Sequence, residues 1–359
     1  MQRESGTSDL EIRDLSVSYL TGKGVLTAVD KVNVTFSKGK IYALVGESGC
    51  GKTTLGLAIP RLLPEDQVRY SGRIEYNGVN VFDLDEKELE GIRGSGFASI
   101  FQEPMTSLNP VYRVGDQIAE ELLVKSGRVG PYSERAPPDR PTPAKRLLGL
   151  DVESALRYRK RLMEYYSEVY SLLDEVRIPD PKRVADMYPH ELSGGMKQRV
   201  MIAIALAGKP SFLIADEPTT ALDLTTQAQI LRLIRRINEQ HGMGVLLITH
   251  DLGVVAAVAD YAIVMYAGKV VERGPTKELI GGPLHPYTQG LLASFPTGRK
   301  DEITLHTIPG SVPPLGSYPS GCAFHPRCPR AFEPCPKAFP ESVEVSPGHV
   351  VSCYLFGGS

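Results

Sequence analysis

An apolar run, Ile41 to Val45, leads directly into Gly46-Glu47-Ser48-Gly49-Cys50-Gly51-Lys52-Thr53-Thr54, and a helical pattern begins where the glycines end. Few folds accept that order. The glycines let a backbone wrap phosphate groups, whose charge then sits at the positive end of the following helix. In this P-loop pattern Lys52 reaches the β- and γ-phosphates of a nucleotide and Thr53 ligates Mg²⁺. A Gly-rich turn without function is the alternative, but a chance match in a chain of average glycine content is on the order of one per cent. The strand before the loop and the helix after it place the chain in the α/β class.

A second run, Phe212-Leu213-Ile214-Ala215-Asp216-Glu217, is four apolar residues followed by two carboxylates. A buried strand delivers such acids to its carboxyl end, where ligands bind in open α/β sheets. Asp216 is thereby placed to hold the Mg²⁺ shell and Glu217 to face an attacking water. An apolar strand ending in acids is often only structural; beside a P-loop it is much more often catalytic.

The chain has 359 residues, 42% of them hydrophobic, no Trp and a formal charge of −2. That balance lacks the basic excess of nucleic-acid binders. Arg3, Glu4, Asp9 and Glu11 interrupt the N-terminus, so no secretory signal is expected and the protein should remain in the cytoplasm. The longest apolar stretches, Val200 to Ala207 and Leu252 to Met265, fall short of the roughly 20 residues of a membrane span. Any membrane role must come through partners.

Residues 10–45 read as short β segments, followed by a helix over Thr53 to Leu63, β structure over Gly72 to Val81 and a strand from Phe97 to Phe101. Between about 103 and 192 the β signal fades. Helical spacing at Val114 to Lys125 and Ala155 to Arg177 predicts an inserted helical subdomain, interrupted by a Pro-rich stretch from Gly130 to Pro143. The core resumes with Phe212 to Ala215, a helix over Thr225 to Gln240, a strand over Gly244 to Thr249 and a β pair around Tyr261 to Glu272. The expected domains are a nucleotide-binding domain over 1–281 and a Pro-, Gly- and Cys-rich module over 282–359.

Leu192-Ser193-Gly194-Gly195-Met196, shortly before the Phe212 strand, resembles the signature sequence of ATP-binding-cassette (ABC) ATPases. Physically, Ser193 and the two glycines can open a helix and present hydroxyl and N–H groups to an anion. The resemblance implies that this anion is the γ-phosphate of ATP bound to an opposite subunit. It further implies that Tyr19 stacks on adenine, that Gln102 touches Mg²⁺ or water, that Asp223 meets the other subunit's P-loop, and that His250 contacts the γ-phosphate. The implied fold is a P-loop ABC cassette with an antiparallel β subdomain and the helical insertion. The implied reaction is ATP hydrolysis with Glu217 polarising water.

Two features depart from the commonest pattern. Met196 stands where many signatures have Gln, which resembles the peptide-importer branch, and the Pro-rich stretch is long. Cys50, at a variable loop position before a helix, is read as small-residue filler in preference to an activated thiol. His285-Pro286-Tyr287, Ile308-Pro309-Gly310 and Gly321-Cys322-Ala323-Phe324-His325-Pro326-Arg327-Cys328 resemble the C-terminal extension of oligopeptide and dipeptide importer ATPases. Cys322, Cys328, Cys335 and Cys353 could together hold Zn²⁺ or an iron–sulfur cluster, with His325 and His349 as other possible ligands. Their gaps are wider than zinc-ribbon spacing, and the resemblance implies a [4Fe–4S] cluster.

The implied partners are a second ATPase subunit, two membrane permeases and an extracytoplasmic binding protein, with this chain peripheral on the cytoplasmic membrane face. Peptide is the expected cargo, and relatives of the branch carry oligosaccharides or metal chelates. A non-transport ABC ATPase in DNA repair or translation is the different-class alternative. Long coiled-coil insertions and a second cassette, its usual marks, are not seen in the sequence.

Overall fold

Alternating apolar and polar residues make two long antiparallel strands, β1 (Leu10–Thr21) and β2 (Gly24–Phe36). The buried positions Leu10, Ile12, Leu15 and Val17 break strict alternation, because the register shifts between Ile12 and Leu15, where Asp14 has φ 47°. After β3 (Ile41–Val45) and a helix over Lys52–Ala58, β4 (Val68–Tyr76) and β5 (Val79–Asn80) complete a sheet of order β2-β1-β4-β5. The helix is shorter than expected because Pro60 cannot donate to it and crowds the preceding turn.

This is a computed structural model, and it describes residues 10–22, 24–101, 107–127, 152–220, 222–294 and 307–357. Gln102, Ala221 and the Pro-rich stretch from Gly130 to Pro143 lie outside them. The chain divides into two compact units, Leu84–Met243 and the combination of Met1–Asp83 with Gly244–Ser359.

The Leu84–Met243 unit opens with a helix over Glu86–Ile92 fixed by a reciprocal Asp85/Glu88 capping box. It contains the parallel pair β6 (Phe97–Ile100) and β7 (Phe212–Asp216), with Phe97 opposite Phe212. Helices over Val114–Lys125, Val152–Met163, Tyr166–Glu175, Pro181–Asp186, Gly194–Ala207 and Leu224–His241 make up most of the rest. The single helix expected over Ala155 to Arg177 is two. At the break the bonds tighten to three residues, with Glu164 and Tyr165 donating to Arg161 and Leu162, and Tyr165 leaves the helical region at φ −98°, ψ 1°. Tyr166 then donates its hydroxyl to the buried Asp116 carboxylate at 2.7 Å.

In the other unit, β8 (Gly244–Thr249), β9 (Tyr261–Tyr266), β10 (Lys269–Pro275), β11 (Val343–Ser346) and β12 (His349–Val351) join β3 in the order β11-β12-β10-β9-β3-β8. β3 pairs in parallel with both β8 and β9 and is buried along its length, the run of apolar residues that such a position demands. Each aliphatic side chain so buried is worth about 1.5–3 kcal/mol. The apolar stretch Leu252 to Met265 is a helix (Leu252–Val258) and then β9. Asp260 divides them, its carboxylate accepting from the Ile41 N–H at 2.8 Å.

Residues after 281 share a core with the central strands. Tyr287, Cys322, Ala323 and Phe324 pack with Ala43, Val45, Val264 and Tyr266. The rings of Tyr266, Tyr287 and Phe324 meet at centroid distances of 4.7–5.3 Å. Glu272, on β10 and 1% exposed, secures the return of the chain: its carboxylate accepts from the N–H groups of Leu284 and His285 and from Nε2 of His349. Glu272→Ala would strand three donors, two of them buried. Urea denaturation should register a loss of about 3 kcal/mol or more; an unchanged midpoint would refute this role.

Candidate functional site

β3 ends at Val45 and the chain turns at Gly46, φ 158°, where a β-carbon would stand 2.3 Å from the Met265 carbonyl oxygen. Gly51, φ 100°, is equally closed to substitution, since its β-carbon would meet Ala28 O at 2.4 Å. These two contacts hold the backbone in a curve that side chains would fill. Gly51 N-caps the Lys52–Ala58 helix without a side-chain hydrogen bond. Lys52, 7% exposed, folds its ammonium back onto the loop and donates to Gly46 O at 2.8 Å and Glu47 O at 3.0 Å. Ser48, Gly49 and Thr53 are exposed. A cradle of backbone, one buried cation and an exposed threonine hydroxyl fits a phosphate chain with its Mg²⁺.

The same unit brings two further expected residues to this loop. The hydroxyls of Tyr19 and Thr54 lie 3.0 Å apart. His250, exposed, follows β8, whose Thr249 is in register with Val45, so Gly46 and His250 leave neighbouring parallel strands at the same end. Cys50 is fully buried, and burial pushes its thiol up despite the Lys52 charge. It is filler in the loop's interior, not an activated nucleophile.

In the other unit, all five residues of β7 are buried and it ends on Asp216, 9% exposed. Glu217 follows in the left-handed region at φ 46°, a conformation that costs a residue with a side chain about 1–3 kcal/mol. Its carboxylate accepts from the Thr220 hydroxyl at 2.9 Å. Ser193 N-caps the Gly194–Ala207 helix, accepting from Met196 N–H at 3.3 Å, with Ser193 and Gly194 exposed. Asp223 caps the Leu224–His241 helix through the N–H and hydroxyl of Thr226, at 3.0 and 2.6 Å, and these bonds lower its pKa. Thr226 also leaves no room at Gly195, whose β-carbon would stand 2.6 Å from its methyl. The structure thus packs the Ser193 turn against the Asp223 turn.

Cys322, Cys328, Cys335 and Cys353, all free thiols, line one cavity together with His285, Phe324, His325 and Phe332. Burial raises the thiols of Cys322 (to about 11), Cys328 and Cys353. Backbone N–H groups two residues on, of Phe324, Arg330 and Leu355, bond to the same three sulfurs and oppose that rise. Among the described residues no group of three or more His, Cys, Asp or Glu is arranged to hold a single metal ion. His349 does not line this cavity; its Nε2 bonds Glu272.

Two residues of the C-terminal motifs, Tyr287 and Arg327, touch the P-loop, a contact the sequence did not announce, and Tyr266 joins them. Tyr287 accepts the Glu47 N–H at 2.8 Å, and Arg327 pairs with the Glu47 carboxylate. Tyr266 joins through Arg327, its hydroxyl 3.3 Å from the guanidinium. The first two lie 240 and 280 residues from Glu47 along the chain.

Comparison with known proteins agrees with this geometry. Residues 29–220 match the family described as ABC transporter, and residues 271–335 match the oligopeptide/dipeptide transporter C-terminal region. The chain is 45% identical over 357 residues to a protein of Brucella abortus (strain 2308) named for peptide import and ATP binding, with 96% of each chain covered. It is 45% identical over 331 residues to one so named from Brucella melitensis biotype 1, covering 92% of this chain and 90% of that one. A solved ATP-binding cassette, described as a dimer in a post-hydrolysis state with ADP and Pi, is 27% identical with a TM-score of 0.56 over 74% of this chain and 98% of its own. Among the described residues no helix is long and apolar enough to cross a membrane. The chain therefore belongs to the ABC transporter family, as an ATP-binding and ATP-hydrolysing subunit that carries the oligopeptide/dipeptide-type C-terminal region.

Proposed function

We propose that this subunit powers the uptake of oligopeptides or dipeptides by closing on ATP against a second ATPase subunit, identical or paralogous, and driving two partner permeases fed by an extracytoplasmic binding protein. Its place is the cytoplasmic face of the membrane. The observation that carries this reading is one chain holding both a phosphate cradle at Gly46 to Thr53 and the oligopeptide/dipeptide transporter C-terminal region.

In this reading the loop N–H groups and Lys52 hold the β- and γ-phosphates, and Tyr19 stacks on adenine. Thr53 and Asp216, with Gln102, bind Mg²⁺, which when bound neutralises charge on the phosphates. Glu217 accepts a proton from water as it attacks the γ-phosphate in line, and His250 donates to that phosphate. Ser193, Gly194 and Gly195 present hydroxyl and N–H groups to the nucleotide of the second subunit. The exposure of Ser193, Gly194, Asp223 and Leu224, the last 83% exposed, supports a face that meets a partner. The helices between about 103 and 192 are assigned to the permease-facing insertion, and residues 282–359 to an appendage of the nucleotide-binding domain at 1–281.

The four cysteines are assigned to a [4Fe–4S] cluster. Four unpaired thiols border one cavity, three of them, Cys322, Cys328 and Cys353, receive backbone N–H bonds of the kind that stabilise bound thiolates, and a cluster is wider than a single ion. The cluster would supply four iron–sulfur bonds as a crosslink between chain segments. The residues themselves provide the N–H donors and an aromatic wall, Phe324 and Phe332, that limits solvent.

Two outcomes test these assignments. Glu217→Gln should bind MgATP as the parent does while phosphate release falls by about 100-fold or more; turnover near the parental rate would remove Glu217 from the chemistry. Anaerobically purified protein should contain about four irons per chain with visible iron–sulfur absorption, and Cys335→Ser should lose both. Stoichiometric zinc, or no metal, would overturn the cluster.

A further inference from the structure

Two separate stretches of the C-terminal extension converge on one residue of the phosphate loop, and a third braces one of them. The Glu47 carboxylate accepts from Nη1 of Arg327 at 2.8 Å and from Nη2 at 3.1 Å, and its N–H donates to the Tyr287 hydroxyl at 2.8 Å. Its carbonyl accepts from Lys52 at 3.0 Å. Glu47 is therefore held at carboxylate, N–H and carbonyl at once.

The guanidinium that grips it is itself immobilised. Nε of Arg327 donates to Pro309 O at 2.8 Å, and Nη2 reaches Ile308 O and Gly310 O at 3.4 Å. The group lies 5.8 Å from the Tyr266 ring centre and 5.9 Å from that of Phe324, within cation–π range of both. The Arg327 side chain is 7% exposed and Tyr287 is fully buried. The Ile308-Pro309-Gly310 and His325-Pro326-Arg327 segments thus meet at one fork whose outward prongs hold the phosphate loop.

We propose that Arg327 is a positioning residue for nucleotide, acting through Glu47. A carboxylate one residue past Gly46 stands beside the phosphates, and like charges at close range oppose binding. The bidentate fork neutralises that carboxylate and turns it away, while Tyr287 fixes the adjoining N–H, so the loop is shaped before nucleotide arrives. Without Arg327 the half-buried Glu47 charge is uncompensated next to a polyanion. The inference rests on the reading of Gly46 to Thr53 as the MgATP site.

The test uses the full chain in its assembled transporter, with fluorescent-nucleotide titration for Kd and phosphate release for KM and kcat. Arg327→Gln should raise Kd and KM for MgATP about tenfold with kcat changed less than about threefold. In a Glu47→Gln background the same replacement should change Kd by less than about twofold, since the charge to be compensated is gone. Arg327→Lys, which keeps the charge and loses the fork, should fall between the parent and Arg327→Gln. Tyr287→Phe, which removes only the acceptor of the Glu47 N–H, should raise Kd about threefold and keeps the test readable if Arg327→Gln does not accumulate as folded protein. Unchanged affinity in both Arg327→Gln and Tyr287→Phe overturns the proposal, as does an Arg327→Gln defect of equal size with and without the Glu47 carboxylate. Failure of the parent protein to bind MgATP would instead refute the underlying assignment of the site.

Discussion

The close approach of Gly46 to the backbone at Met265, where a β-carbon would stand 2.3 Å from the carbonyl oxygen, is the constraint on which the phosphate loop depends. Because β3 lies between two parallel neighbours, β8 and β9, its position is set by ladder hydrogen bonds on both sides. The chain must leave it past the end of β9, with a gap too narrow for a methyl group. The loop's curve is therefore a property of the sheet. From it follow the inward fold of Lys52, the placement of the Lys52–Ala58 helix, and the hydroxyl contact between Thr54 and Tyr19. A loop shaped by main-chain packing needs little reorganisation when a ligand replaces water, which is the source of tight phosphate binding in such cradles.

The C-terminal segment extends the same logic. A Pro- and Gly-rich stretch can bury little surface unaided, and here Tyr287 and Phe324 complete the core around Tyr266. Phe324 lines the cysteine cavity, packs in the core around Tyr266 and lies 5.9 Å from the Arg327 guanidinium, so one short segment borders all three. Cys322 N–H donating to Cys335 O, and His325 N–H to Cys322 O, tie the turns that carry thiols and guanidinium alike. The segment that completes the core therefore also contacts the phosphate loop, through Tyr287 and Arg327.

Much of this was legible from residue patterns because the signals were local. The five apolar residues before Gly46, the two acids ending β7 and the serine opening the Gly194–Ala207 helix each act on neighbours within a few positions. Other features depended on longer range or on competing local signals. Pro60 cut the first helix short, although periodicity favoured continuation to Leu63. The tight bonds at Glu164 and Tyr165 split a continuous helical pattern. Asp85 and Glu88 spell a capping box at the right spacing, whereas the left-handed backbone at Asp14 and Glu217 carries no glycine to announce it. Glu47 and Arg327 each stood in a readable motif, but their pairing had no sequence signal, since residues 280 positions apart gain a joint meaning only when the fold brings them together.

In the Leu84–Met243 unit the backbone at Glu217 is in the left-handed region, the Ser193 turn is exposed, and it packs against the Asp223 turn through Thr226. The chain is an ATP-hydrolysing subunit of a peptide importer, so its central property is the coupling of hydrolysis to transport. The most direct measurement is movement of a labelled oligopeptide across vesicles containing the assembled transporter, with its binding protein on one side and MgATP on the side bearing this subunit. The account predicts accumulation on the nucleotide side that stops when ATP is replaced by a non-hydrolysable analogue. Accumulation indifferent to ATP hydrolysis, or hydrolysis that moves no peptide, would contradict it.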